Sequence, residues 1–415
     1  MALGVDDINL TDWEFWARPL EERQRAFSVL REREGLAFFE ESDLVTLPRG
    51  PGYYAVVTHA DVTEASRRPA DFCSGRGAVN IPDLPPEMNE YFGSLISMDD
   101  PRHSRIRRIV SRAFSPRMIQ QLERQVATAA AGIVSEVRAG GSGDFVADVA
   151  ARLPLKIICD MMGVPEQHYQ TVLDASTLIL AGNDPELVVQ NNYEEITLNM
   201  RVAGQTLYDI VGDLSGRRRA DPTDDLTSAL VNANIDGESL TDQELGSFFI
   251  LLLVAGNETT RNAIAHGLHL LTTNPDQRAL LLDDFDARIP DAVEEIVRYA
   301  APVIWMRRTA TRDTMLNEHH VKAGDKLILY YWSANRDETV FRDPERFDIT
   351  RHPNPHLGFG GPGPHFCLGA HLARWEITLM LRELFTQLPT IRTVGEPDRL
   401  LSDFINGIKH LRYEI

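Results

Sequence analysis

HLGFGGPGPHFCLGAHLAR, residues 356–374, sets one cysteine, Cys367, behind a run of glycine and proline and directly ahead of a helical pattern. Such a run turns the backbone tightly, so several amide N–H groups can aim at the sulfur. The positive end of the following helix lies beside it. Both effects favour the thiolate over the thiol. A thiolate prepared in this way suits nucleophilic attack or axial ligation of a haem iron, and the loop alone leaves both open.

The rest of the composition narrows the class. The chain has 415 residues, 43% of them hydrophobic, and a net charge of −19. That acidic balance argues against a nucleic-acid partner. No linker divides the chain, which predicts one domain over residues 1–415. Its cysteines, Cys73, Cys159 and Cys367, are few and odd in number, so a disulfide framework is not expected and a reducing compartment is. Cys159 reads as a helix core residue and Cys73 as a small buried or loop residue. The N-terminus lacks a signal pattern, and the longest apolar run, FFILLLVAG at 248–256, is about half the ~18 residues of a membrane span. The expectation is a cytoplasmic protein without stable membrane insertion, acting as a monomer.

Periodicity predicts helices over 20–34, 59–67, 101–113, 115–138, 150–162, 165–181, 190–216, 225–233, 242–273, 275–284, 290–300 and 368–387. Strands are predicted at 53–57, 307–311, 319–322 and 326–331, so the fold class is mainly α with a small β part. Thr241 and Glu244 form a capping box for the helix 242–273, which would run about 48 Å. In its middle stands AGNETT, residues 255–260. An acid and two hydroxyls inside an apolar helix are costly to bury without partners. The small Ala255 and Gly256 admit something bulky to the backbone. A surface-facing Glu258 on a kinked helix is the plain alternative.

Other pairs are weak signals singly. Glu295 and Arg298 are three apart, hence on one helical face, as are His103 and Arg107 at four apart. Strand alternation sends Arg307 and Arg308 to opposite faces. Arg102, Arg105, Arg108, Arg112 and Arg117 give a basic face in an acidic chain.

Taken in order, these segments resemble the cytochrome P-450 superfamily over nearly the whole chain. Phe359, Gly360, Gly363, His365, Cys367 and Gly369 match its cysteine loop, with Phe359 one residue further from the cysteine than usual. AGNETT resembles its A-G-x-[DE]-T segment. DAVEEIVRYA carries its E-x-x-R pair, and HSRIR its H-x-x-x-R segment. The longer loop and RNAIAHGL after AGNETT resemble actinobacterial hydroxylases of methyl-branched lipids and sterol side chains.

The resemblance implies a single-domain P-450 fold with the long helix over a haem b whose iron is bound by Cys367. It implies His103, Arg107, Arg308 and His365 as anchors of the haem carboxylates, with Phe359, Gly369 and Ala255 lining the cofactor. Thr259 would hydrogen-bond the dioxygen being reduced and Glu258 would relay protons. Glu295 and Arg298 would lock the fold, with Arg346 as third member of their cluster and Arg351 as second candidate. Electrons would come from ferredoxin and ferredoxin reductase, with the basic face as docking surface. Leu95, Ile96, Val254, Val303, Ile304, Phe404 and Ile405 are candidates to contact a small apolar substrate, and residues 168–215 would form a lid. The expected reaction is hydroxylation of a methyl-branched lipid, isoprenoid or sterol side chain at a terminal carbon. The alternatives are hydroxylation of another small apolar compound such as a terpenoid, a peroxide-driven enzyme, which the Glu258–Thr259 pair argues against, and a non-catalytic haem sensor.

Overall fold

The computed structural model describes residues 4–42, 49–114, 116–190, 192–234 and 237–415. The helices that position the site are α1 (His59–Arg67), α2 (Arg102–Ala113), α3 (Pro116–Gly140), α4 (Arg152–Met162), α5 (Tyr169–Ile179), α6 (Tyr193–Ala220), α7 (Asp242–Thr273), α8 (Phe285–Ala300) and α9 (Ala370–Gln387). Strands β1 (Ala37–Phe39), β2 (Tyr53–Val56), β3 (Phe72–Cys73), β4 (Trp305–Ala310) and β5 (Lys326–Tyr330) form a sheet in the order β1-β2-β5-β4-β3. Only β2 and β5 run parallel. Cys73 and Cys159 are buried, in β3 and α4.

α7 begins where its capping box predicts. The Glu244 N–H donates to Thr241 Oγ1 at 3.1 Å, and the Thr241 N–H donates to Glu244 Oε2 at 3.0 Å. Its apolar residues point to several sides because α4, α5, α6, α8 and α9 all pack on it. A helix apolar all round is a buried helix. Asn262 and His266 then fasten the C-terminal segment to it. Asn262 Oδ1 accepts the Ile408 N–H at 2.9 Å, and His266 Nε2 lies 3.1 Å from the Asn406 carbonyl.

α8 holds the cysteine loop through two adjacent acids. Glu295 and Arg298 are both fully buried and meet side by side, at 2.7 Å (Nε to Oε2) and 2.8 Å (Nη2 to Oε1). Arg298 also donates to the carbonyls of Asn335, Pro344 and Arg346. Glu295 further accepts from the Asp348 N–H at 2.9 Å, Arg351 Nε at 3.2 Å and Asn354 Nδ2 at 3.2 Å. The third charge is therefore Arg351, not Arg346. Arg346 lies exposed and contributes its carbonyl, because the turn before it carries its side chain outward.

Glu294, which the sequence reading passed over, grips both flanks of the loop. Arg374 donates to it at 2.5 and 2.8 Å, and His356 Nε2 is 3.0 Å away. Burial raises its pKa, but Arg374 and His356 outweigh that and hold it at about 2. The loop between is pressed against α1. A Cβ at Gly363, where φ is +152°, would stand 2.3 Å from the Ser66 carbonyl oxygen. Gly360, with φ of +91°, makes the turn before it.

Some boundaries differ from those expected. α8 begins at Phe285, capped by Asp284, so Pro290 lies inside the helix and does not start it. α5 starts at Tyr169 after a short 3-10 turn, and α6 runs from Tyr193 to Ala220. The helix Pro86–Gly93, which starts on a proline, is not among those expected.

Arg298→Met should cost about 3–5 kcal/mol in denaturant unfolding, because it strands the buried Glu295 charge. Arg346→Ala should stay within about 0.5 kcal/mol. A group held below its ordinary pKa stabilises the fold above that value and loses the effect as pH falls. The stability gap between wild type and Glu294→Gln should therefore be full above the ordinary value of 4.5 and close as pH approaches 2. Unfolding curves across that range check the sign.

Candidate active site

The loop folds back on itself around the sulfur. The Cys367 N–H donates to the Phe359 carbonyl at 2.9 Å, and the Phe366 N–H to that of Gly363 at 3.2 Å. The extra residue before the cysteine does not loosen Phe359, whose ring carries the Arg374 guanidinium 4.3 Å from its centroid. Cys367 is exposed. Desolvation by the surrounding protein raises its thiol pKa, while the Gly369 N–H and the charges of Arg107 and Arg374 act to lower it. A metal ion ligated by the sulfur would reverse the balance by removing the proton outright.

Beside the sulfur, groups of one sign converge. His103 is buried, and its ring lies 4.3 Å from that of His365. His103 Nε2 and His365 Nδ1 are buried with no hydrogen-bond partner. Burial, with Arg308, His103 and Arg107 nearby, holds His365 neutral and pulls its pKa down to about 2. Arg308 on β4 is buried and donates to the Arg307 carbonyl at 2.8 Å. Arg307, on the opposite face as alternation requires, pairs with Asp83 at 2.6 Å. Arg107 donates to the carbonyls of Pro364 at 2.7 Å and Phe366 at 2.6 Å, so it reaches the cysteine loop itself. Buried donors without acceptors are expensive unless an anion completes them. Orphaned imidazole nitrogens and guanidiniums with no carboxylate partner among the described residues, next to a cysteine, are a donor set that fits the two carboxylates of a haem.

The basic face of α2 is different. Arg102 binds Glu90 at 2.6 Å and also Glu244, Arg105 binds Glu244, and Arg108 binds Glu238. These pairs neutralise most of the charge expected there, because acids from distant segments fold onto it. The side chain of Arg117 lies outside the described residues.

A cavity of about 350 Å³ opens along α7. Thr259, Ala255 and Val254 form one wall, and Ile96, Val303, Phe404 and Ile405 line it too. Thr259 Oγ1 donates to the Ala255 carbonyl at 2.8 Å, the back-bond that loosens a helix. Leu95 and Ile304 do not line the cavity. Leu95 sits in the helical core, and Ile304 is buried in the apolar cluster that includes Phe27, Trp305 and Trp332. Gly256 also faces away, since a Cβ there would meet Ile158 of α4 at 3.1 Å. The close approach is therefore helix on helix at Gly256 and cavity at Ala255.

Glu258 is buried on the α5 side of the helix, not in the cavity. Thr177 Oγ1 donates to it at 3.2 Å and Arg261 pairs with it. Burial raises its pKa against both partners. The sequence reading missed several lining residues, among them Trp13, Tyr193, Trp305 and Asp403. Trp13 Nε1 donates to Tyr193 Oη at 3.2 Å, tying the N-terminal segment to α6 at the cavity. No local pattern marks such residues, because they come from segments far apart.

Three comparisons agree with this geometry. The family described as Cytochrome P450 matches residues 38–389. The "Methyl-branched lipid omega-hydroxylase" of Mycobacterium tuberculosis is 46% identical over 411 residues, covering 98% of this chain and 94% of the relative. The "Steroid C26-monooxygenase" of Mycolicibacterium smegmatis is 41% identical over 368 residues, covering 86% of this chain and 82% of the relative. The solved structure of Mycobacterium marinum cytochrome P450 CYP268A2 in complex with pseudoionone superposes with a TM-score of 0.93 at 41% identity, covering 98% of both chains. Among the described residues no helix is long and apolar enough to cross a membrane. With a cysteine loop, a converging set of buried donors and a threonine-bearing helix over an apolar cavity, the chain belongs to the cytochrome P450 family of haem-thiolate monooxygenases.

Proposed function

We propose that this enzyme hydroxylates a methyl-branched lipid, an isoprenoid or a sterol side chain at a terminal carbon, with dioxygen and two electrons from a ferredoxin reduced by its reductase. The observation that carries the reading is the apolar cavity whose wall includes Thr259. The names of the relatives supply the substrate class.

In this reading Cys367 ligates the iron of haem b, while His103, His365, Arg308 and Arg107 hold its carboxylates. Bound in that way, the haem supplies the redox chemistry that reduces dioxygen. The protein does the rest. Val254, Ile96, Val303, Phe404 and Ile405 bind the apolar chain and exclude water around it. Thr259 breaks its bond to the Ala255 carbonyl to donate its hydroxyl into the cavity. Glu258 takes up a proton on the α5 side and passes it towards Thr259 when Arg261 releases it. Its raised pKa suits that task, because a buried carboxyl holds and gives up a proton closer to neutral pH.

Two variants test the assignment. Thr259→Ala should consume NAD(P)H and release peroxide, with product per NAD(P)H falling about tenfold or more. Glu258→Gln should lower kcat about 100-fold while the substrate-induced spectral shift keeps its midpoint. Tight coupling in the first variant, or unchanged kcat in the second, removes the relay. Cys367→Ser should abolish the absorption of the reduced, carbon monoxide-treated protein that marks a thiolate ligand.

A further inference from the structure

The cavity holds an acid that the reaction does not use. Asp403 lines it from the segment Ser402–Ile405, among Val303, Trp305 and Phe404. Among the described residues its carboxyl has no cation and no hydrogen-bond partner other than its own backbone N–H. Burial pushes its pKa from 3.8 to about 6.

A dense set of bonds holds the backbone of this segment in place. The Ile304 N–H donates to the Phe404 carbonyl at 2.8 Å, and the Asn406 N–H to the Pro302 carbonyl at 2.9 Å. Ser402 Oγ accepts the Ile405 N–H at 3.1 Å, and Val303 and Ile405 form a β-bridge. Asn406 Nδ2 donates to the Ala300 carbonyl at 2.5 Å. The Phe404 ring packs edge-on against Trp305 at 4.9 Å.

The neighbouring groups bring no compensating charge. Tyr53 and Tyr330, whose hydroxyls are 3.5 Å apart, both feel the Asp403 charge and are themselves raised by burial. Glu41, the other acid lining the cavity, is matched by Lys326 at 2.7 Å. Among the described residues lining the cavity there is no lysine, arginine or histidine.

An unpaired carboxyl in an apolar wall needs a donor from whatever fills the cavity. A carboxylate ligand brings none and adds like-charge repulsion. We propose that Asp403 is a specificity-determining residue that accepts a hydrogen bond from a hydroxyl on the substrate, so that the cavity selects neutral branched alcohols over the corresponding free acids. This rests on the substrate reading above and narrows it.

The test uses the haem-loaded protein and three ligands on one branched isoprenoid chain: the alcohol, its methyl ether and the carboxylic acid. Dissociation constants are read at pH 7.5 from the low-to-high-spin shift. In wild type the alcohol should bind about tenfold more tightly than the ether and more tightly still than the acid. Asp403→Asn should bring the alcohol and the acid within about threefold of each other. Acid binding as tight as alcohol in wild type overturns the inference, even if the variant does not fold. So does an alcohol-to-acid ratio unchanged in Asp403→Asn. If no member of the series shifts the band, the substrate reading itself falls and the inference with it. Equal affinities across the series leave that reading standing and remove only the role of Asp403.

Discussion

A single buried carboxylate organises the approach to the active site. Glu295 has no contact with water and accepts from Arg298, Arg351, Asn354 and the Asp348 N–H. Two ions taken out of water repay their desolvation only if their remaining donors and lone pairs are also satisfied. Arg298 meets that condition by binding three carbonyls of the irregular chain between residues 335 and 346. That segment has little regular structure of its own, so this network gives it shape. It leads into the cysteine loop, which Glu294 then clamps from the next position on the same helix. The position of the sulfur follows from two adjacent glutamates facing different neighbours.

Charge is sorted around the site. On the cysteine side, His103, His365, Arg107 and Arg308 crowd together, and burial with mutual repulsion keeps His365 neutral. That arrangement is unfavourable until an anion arrives. On the α7 side the described lining holds two acids and no base. Glu258 belongs to neither face: its pairing with Arg261 and Thr177 puts it behind the helix, buried away from the cavity.

How much was legible beforehand depended on the range of the interaction. The capping box at Thr241, the opposite faces of Arg307 and Arg308 and the burial of Cys159 follow from rules spanning a few residues, and the structure agrees with each. The exchange of Arg351 for Arg346 was not legible, because both stand in one short segment far from Glu295 in sequence and only the turn at 343–346 decides which side chain points inward. The same holds for Gly256, which serves packing against Ile158, and for Leu95 and Ile304, which are core residues. The pairing of the basic face of α2 was not legible for a similar reason: Glu90, Glu238 and Glu244 come to it from elsewhere in the chain.

The amino-acid order alone determined the kind of protein this is. A cysteine behind glycines and prolines, an acid–threonine pair within an apolar helix and an E-x-x-R pair each reflect local geometry, and their order along the chain carries the family. Tertiary structure decided what surrounds those groups. It set Arg107 against the carbonyls of the cysteine loop, which the loop sequence could not reveal. It also carried Asp403 from the C-terminal segment into the cavity wall, among residues from both ends of the chain. Burial and long-range neighbours set the charge state of a side chain, and neither is written in the residues next to it.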